Sequence, residues 1–209
     1  MGKGREVGEI DAFTLAIAHA ETRDGRRIAV VDALREVRPP FSPEQTVAEF
    51  AARLHVYGIN EVTGDRFGGE FPREMFRRHG VTYALADTPK SDGYRDALPH
   101  LNAGAVELLD HPRLVAQLCA LERRTARGGR DSIDHPPGGH DDVANAVCGV
   151  IQHLLVRAPA GEGGMVPYRN GAFRFDLSPA AREEVLDQIE FERRYPTRGQ
   201  SGQATARYP

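Results

Sequence analysis

The chain has little cysteine, no long apolar run and no excess of positive charge, and each shortage excludes something. Cysteine occurs twice in 209 residues, as Cys119 and Cys148. Each falls inside an apolar helical pattern with no second Cys or His at metal-ligand spacing. Neither a disulfide framework nor a thiolate metal site is implied, and both thiols are expected in the core. No segment approaches the ~20 consecutive apolar residues that a bilayer span requires. The first ten residues hold Lys3 and Arg5 but no apolar stretch, so they form no secretory signal, and a cytoplasmic location with no membrane partner is expected. The formal net charge of -3 is opposite in sign to that of a dedicated nucleic-acid-binding domain, which holds phosphates by positive charge. A basic groove around an acidic centre would also give a near-neutral total.

What is present fits one soluble core. Apolar residues make up 40% of the chain and charged residues 27%, and the length suits a domain of about 150 residues with a tail. Phe13, Leu15 and Ile17 alternate with small or polar residues, Asp24-Gly25 interrupts, and a β-branched run resumes at Arg27, which predicts a β-hairpin. Ser42-Pro43-Glu44-Gln45 predicts a helix start, with Ser as N-cap and Pro at the first helical position. Val47, Phe50, Ala51 and Leu54 then give its buried stripe and Gly58 its left-handed stop. Short apolar runs at 62–63, 81–85 and 106–109 alternate with helical segments at 72–79, 91–101 and 112–124. Such alternation predicts βαβ units with parallel strands, in a mixed sheet where the strand ending at Asp65 lies next to the hairpin strand starting near Asp11. A last helix over 141–156 carries Val143, Ala146, Val147, Val150, Ile151 and Leu154 on one face. The domain is expected to close there, at residues 1–156. Residues 157–209 read as a Gly- and Pro-rich linker and a polar tail with a short amphipathic helix over 178–193.

Carboxylates fall where such elements end. Asp65 follows Glu61-Val-Thr-Gly64, at the carboxyl tip of an expected parallel strand, where open α/β sheets place their ligands. Turn chemistry alone also explains Gly64-Asp65. Asp141 and Asp142 open the last helix, where an Asp can cap free amides. Two adjacent carboxylates exceed what a cap needs, and hard divalent cations prefer carboxylate oxygens. Arg123, Arg124, Arg127 and Arg130 lie in a basic, Gly-containing stretch that could meet DNA phosphates or remain solvated.

Several segments in one order are similar to a known family. They are residues 42–50, Thr63-Gly-Asp-Arg-Phe-Gly-Gly-Glu70, Lys90-Ser-Asp92, Leu108-Leu-Asp-His-Pro-Arg-Leu114, Leu121-Glu-Arg-Arg-Thr125 and Gly138-Gly-His-Asp-Asp-Val-Ala-Asn-Ala146. Over residues 11–156 the chain resembles the nuclease domain of large terminases from tailed phages, prophages and gene-transfer agents. The resemblance implies an α/β fold of the ribonuclease H-like type, a mixed sheet flanked by helices, and a Mg²⁺- or Mn²⁺-dependent endonuclease that cleaves double-stranded DNA with two metals. Carried over by position, it implies that Asp65 and Asp142 bind metal directly and that Asp141 is auxiliary. It also makes Lys90 and Ser91 phosphate contacts, with Ser91 equally explained as a helix cap; His140 could assist a leaving group, but a polar residue beside a glycine turn explains it equally well. Family members open with an apolar strand ending in Asp. Here Asp11 matches the Asp that begins the next strand, so the first strand is expected to be missing and Asp11 is a further metal candidate. A chain lacking that ligand is expected to cut poorly. No strand-Gly-x-x-x-x-Gly-Lys-Ser/Thr loop occurs, so any ATPase motor is expected on another polypeptide, with a small terminase and a portal as further partners. The alternative expectation is an inactive DNA-binding or assembly remnant of a truncated prophage terminase.

Overall fold

In the computed structural model the alternating N-terminal run forms β1 (Phe13–Arg23), paired antiparallel with β2 (Arg26–Val37). The structure describes residues 12–64, 71–125 and 131–157. The turn uses the expected Asp24-Gly25, whose φ angles of 51° and 73° are left-handed, as a two-residue hairpin of matching twist requires. A register shift opposite Ile17 and Ala18 leaves Asp32 as the extra residue of a bulge. Asp32 then reaches His19, whose Nδ1 lies 2.6 Å from its Oδ2.

The elements that follow are α1 (Pro43–Val56), β3 (Glu61–Gly64), α2 (Phe71–Arg78), β4 (Thr82–Leu85), α3 (Lys90–Asn102), β5 (Val106–Glu107), α4 (Pro112–Ala120), β6 (Glu122–Thr125), β7 (Asp131–Asp134) and α5 (Asp142–Ile151). A π-helical segment (Gln152–Arg157) extends α5. The α1 cap is as expected: Ser42 Oγ accepts from the Gln45 amide at 3.4 Å, and Gly58, with φ 64°, follows the last turn. Val47, Phe50, Ala51 and Leu54 are all buried.

Strand parity distributes the helices. Phe13 of β1 packs on Phe50 of α1 and Phe76 of α2, with ring centroids 5.1 and 6.5 Å away. Ala16 and Ala18, on the opposite face, pack with Tyr94, Leu114, Val143, Val147 and Ile151 from α3, α4 and α5. Helices therefore cover both faces, and the α/β class with strands flanked by helices is the observed one.

The strand order differs in detail from the expectation. β3 and β4 are parallel, as their βαβ connection requires, but β5 joins the outer edge of β2, giving β1-β2-β5 and β3-β4. Among the described residues β3 is hydrogen-bonded to β4 and not to β1, although these were expected to be neighbours. Residues 1–11 lie outside the described residues. So do the expected tail and its helix; the chain divides into units Met1–Arg174 and Phe175–Pro209, and every described residue lies in the first.

Two further expectations need correction. Helix α4 ends at Ala120, not near residue 124, because Leu121 is extended and β6 pairs antiparallel with β7. Cys119 is exposed, since the inward stripe of α4 runs through Leu114, Gln117 and Leu118. Cys148 is buried as expected, and burial pushes its thiol up to about 12. No helix among the described residues is long and apolar enough to cross a membrane.

Gly64, the last residue of β3, sits beneath the side chain of Tyr83 on β4, and any Cβ there would overlap the phenol. Stacking of Tyr83 on Phe76, with centroids 5.5 Å apart, limits its retreat. Gly64→Ala is therefore expected to destabilise the fold by about 1–3 kcal/mol through overpacking. The check is a lower denaturant midpoint at unchanged slope; an unchanged midpoint would mean that Tyr83 moves freely.

Candidate metal centre

Parallel pairing brings the carboxyl ends of β3 and β4 together, with Gly64 opposite Leu85 and the Ala86 amide donating to the Gly64 carbonyl at 2.9 Å. From this edge β3 runs into Asp65 and β4 runs toward Lys90, the first residue of α3. Asp65 itself, like Asp11, Arg127 and Arg130, lies outside the described residues.

The start of α3 is tied to the start of α5. Lys90 Nζ donates to Asp141 Oδ2 at 2.9 Å and lies 2.8 Å from Asp134 Oδ1 at the end of β7. Tyr94, one turn into α3, donates to the same Asp141 oxygen at 2.8 Å. Asp141 is 7% exposed, so its charge is held by an ammonium and a phenol in a site largely closed to water. Burial would lower the Lys90 pKa, but hydrogen bonds to Asp134 and Asp141 outweigh it and hold the ammonium above its usual range. Asp134 is the converse case: burial would raise it, but Lys90 and the His135 amide keep it below the usual carboxylate range. Burial, reinforced by the nearby Asp141 charge, raises the Tyr94 pKa and keeps the phenol a donor.

His135 completes the group. Its ring Nδ1 lies 2.9 Å from the Pro136 carbonyl oxygen, which can only accept. In the neutral ring the proton is thus on Nδ1, leaving the lone pair on Nε2, 3.7 Å from Asp134 Oδ1. Asp134, His135 and Asp141 each offer a ligand atom within 4.8 Å of the others. The second expected aspartate, Asp142, is the first residue of α5 and half-buried.

Of the residues expected to act together, the structure unites Lys90 with Asp141 and adds Asp134, His135 and Tyr94, which the sequence reading did not single out. One signal was available: the Asp131-Ser-Ile-Asp134-His135 run stands just ahead of the Pro136-Pro-Gly-Gly turn that leads to Asp141. Ser91 is not the cap of α3, which begins a residue earlier; its Oγ accepts from the Ile133 amide at 2.9 Å and ties α3 to β7. Arg123 and Arg124 lie on β6 rather than in a loop. Arg123 is paired with Asp131, and Arg124 with Glu122 at 2.7 Å. These exposed pairs are weak. His140 follows the left-handed Gly138 turn and is half-buried.

The two explanations that the sequence allowed for Asp141 can be separated. Asp141 occupies the N-cap position of α5, yet its side chain makes no cap hydrogen bond. Gln117 of α4 does that work instead, its Oε1 accepting from the Val143 and Ala144 amides at 2.9 and 3.0 Å.

No protein-family model matches the sequence, and no curated protein does. Among solved structures, the large terminase nuclease from thermophilic phage G20c with bound cobalt is similar at a TM-score of 0.54 and 15% identity, over 68% of this chain and 82% of that one. The same phage nuclease with bound magnesium gives 0.53 and 15%, with the same coverage. The Thermus phage P74-26 large terminase nuclease domain gives 0.53 and 14%, over 72% and 83%. At such identity the likeness speaks for architecture, and the chain has the ribonuclease H-like α/β fold of large terminase nuclease domains.

Proposed function

We propose that the chain is a divalent-metal-dependent endonuclease acting on double-stranded DNA, of the kind that serves DNA packaging. The observation that carries this reading is the convergence of Asp134, His135 and Asp141 at the amino end of α5, on the fold of nucleases whose solved structures contain cobalt and magnesium. The donor set fits such a metal. Two carboxylates and an imidazole suit Mn²⁺ or Co²⁺, and the carboxylates alone suit Mg²⁺. Ligand atoms within 4.8 Å of one another need only modest adjustment to reach one ion at about 2.1 Å. The Pro136 carbonyl orients His135 as outer partners of metal ligands do.

In this reading Asp141, Asp142 and Asp65 are the acidic ligands, Asp134 and His135 join them, and Asp11 is a further ligand. Mg²⁺ or Mn²⁺, as a two-metal site, would activate the attacking water and stabilise the leaving oxygen. The protein's own groups set that chemistry up. Tyr94 keeps Asp141 oriented and leaves its other oxygen for coordination. Lys90 balances the carboxylates of Asp134 and Asp141 and would be free to turn toward the phosphate once a metal held them, while Ser91 ties the start of α3 to β7. Arg123, Arg124, Arg127 and Arg130 contact the DNA backbone, and an ATPase, a small terminase and a portal would complete a packaging machine.

The test is nicking of supercoiled plasmid with Mn²⁺ or Mg²⁺. Slow metal-dependent nicking is expected from the native chain and none from Asp65→Asn or Asp142→Asn, each still folded. Metal-independent nicking, or none at any metal concentration, would overturn the reading; DNA binding without cleavage would instead support the remnant.

A further inference from the structure

The amino end of α5 presents free amides directly beside the carboxylates of the candidate metal centre, and in most helices a neighbouring Asp would take them. Here they are taken by Gln117, a residue 26 positions away in sequence from Val143. Gln117 is 6% exposed and its Oε1 accepts from both Val143 and Ala144. Its Nε2 has no partner among the described residues, so the residue is held there by its acceptor alone. An amide in a buried site that uses only its oxygen is a costly choice, and what it secures is visible next door: Asp141, at the N-cap position, is left to bond Lys90 and Tyr94.

We infer that Gln117 is a positioning residue, which caps α5 from α4 so that Asp141 is not drawn into capping and stays with Lys90 and Tyr94 on the metal side. Its consequence for metal binding rests on the nuclease reading above; its consequence for the metal-free site does not. Remove the Gln117 oxygen and two buried amides lose their acceptor. Asp141 stands at the N-cap position, from which a side chain ordinarily accepts from these two amides, and taking the cap breaks its bonds to Lys90 and Tyr94.

The experiment compares Gln117→Leu with Gln117→Glu. Leu fills the space with no acceptor, whereas Glu presents an oxygen to the same amides whether or not it is protonated. Gln117→Met, longer and flexible, serves in the same way should the Leu protein not fold. In metal-free crystals of the Leu or Met variant, Asp141 is expected on the α5 amides and away from Lys90 and Tyr94, and in Gln117→Glu it is expected where it stands in the native chain. Asp141 unmoved in the Leu or Met variant would overturn the inference, whatever the protein's activity. Mn²⁺ affinity, read by paramagnetic resonance of the free ion, is expected to fall roughly 10- to 100-fold in Gln117→Leu, as for other groups that orient metal ligands, and to recover in Gln117→Glu. Equal losses in both variants would also overturn it. Failure of the native chain itself to bind Mn²⁺ would count against the nuclease reading alone, because the metal-free crystals still decide the role of Gln117.

Discussion

Replacing Asp141 by Asn should damage both stability and metal binding, a combination that none of the exposed carboxylates should reproduce. Asp141 is buried and its Oδ2 is shared by Lys90 and Tyr94 at 2.9 and 2.8 Å. Asn keeps the shape but removes the charge, leaving the ammonium with Asp134 alone. Breaking a fully buried pair costs about 3–5 kcal/mol. Lys90 is partly solvated and retains Asp134, so a loss of about 2 kcal/mol is the expectation. The same change removes an anionic ligand, so thermal stabilisation by Mn²⁺ should vanish. Melting curves with chelator and with excess Mn²⁺ measure both effects. A variant that melts like the native chain, or that still gains stability from Mn²⁺, would show that Asp141 serves neither purpose.

Lys90→Met should separate the two roles. In the native chain the ammonium lies within 2.9 Å of both Asp134 and Asp141, between carboxylates that a metal would also hold. Without it the metal-free site contains two neighbouring negative charges and no cation. Like charges so placed oppose ionisation, and the apo protein should lose about 1–3 kcal/mol. A divalent cation no longer has to displace an ammonium, so the rise in melting temperature on adding Mn²⁺ should be larger in Lys90→Met than in the native chain. Ligand binding to the folded state stabilises by about 2.7 kcal/mol at a hundredfold excess over Kd, which is readily measured. An unchanged Mn²⁺ response would place the metal away from Lys90, and a smaller response would make Lys90 a support for the metal site.

How much of this was legible in the sequence depends on whether the responsible interaction is local. The β1–β2 turn was readable because Asp24-Gly25 is the chemistry a tight hairpin needs, and α1 because its cap, stripe and stop all lie within one stretch of chain. Asp141 and Asp142 stood out as a pair, and the sequence allowed both a cap and a ligand; what decided Asp141 was Gln117 on another helix, which no local pattern reports. The β6–β7 hairpin was missed for a related reason. Glu122, Arg123, Arg124 and Thr125 are all exposed, so β6 has no buried face and no apolar alternation to advertise a strand. Asp134 and His135 were passed over with it, since their value lies in meeting Asp141 after the turn at Gly138. β5 was expected as a strand, but two paired residues cannot specify a neighbour, and its place beside β2 follows from long-range packing of Ala105 with Ile28 and Val30.

The claim on which the account depends is that the carboxylates at the amino end of α5 form a divalent-metal site, and Mn²⁺ titration of the native chain beside Asp141→Asn tests it most directly. Calorimetry or the paramagnetic signal of free Mn²⁺ should show saturable binding by the native chain, competed by Mg²⁺ and lost in Asp141→Asn. No saturable binding by the native chain, or binding of equal strength in Asp141→Asn, would contradict the account.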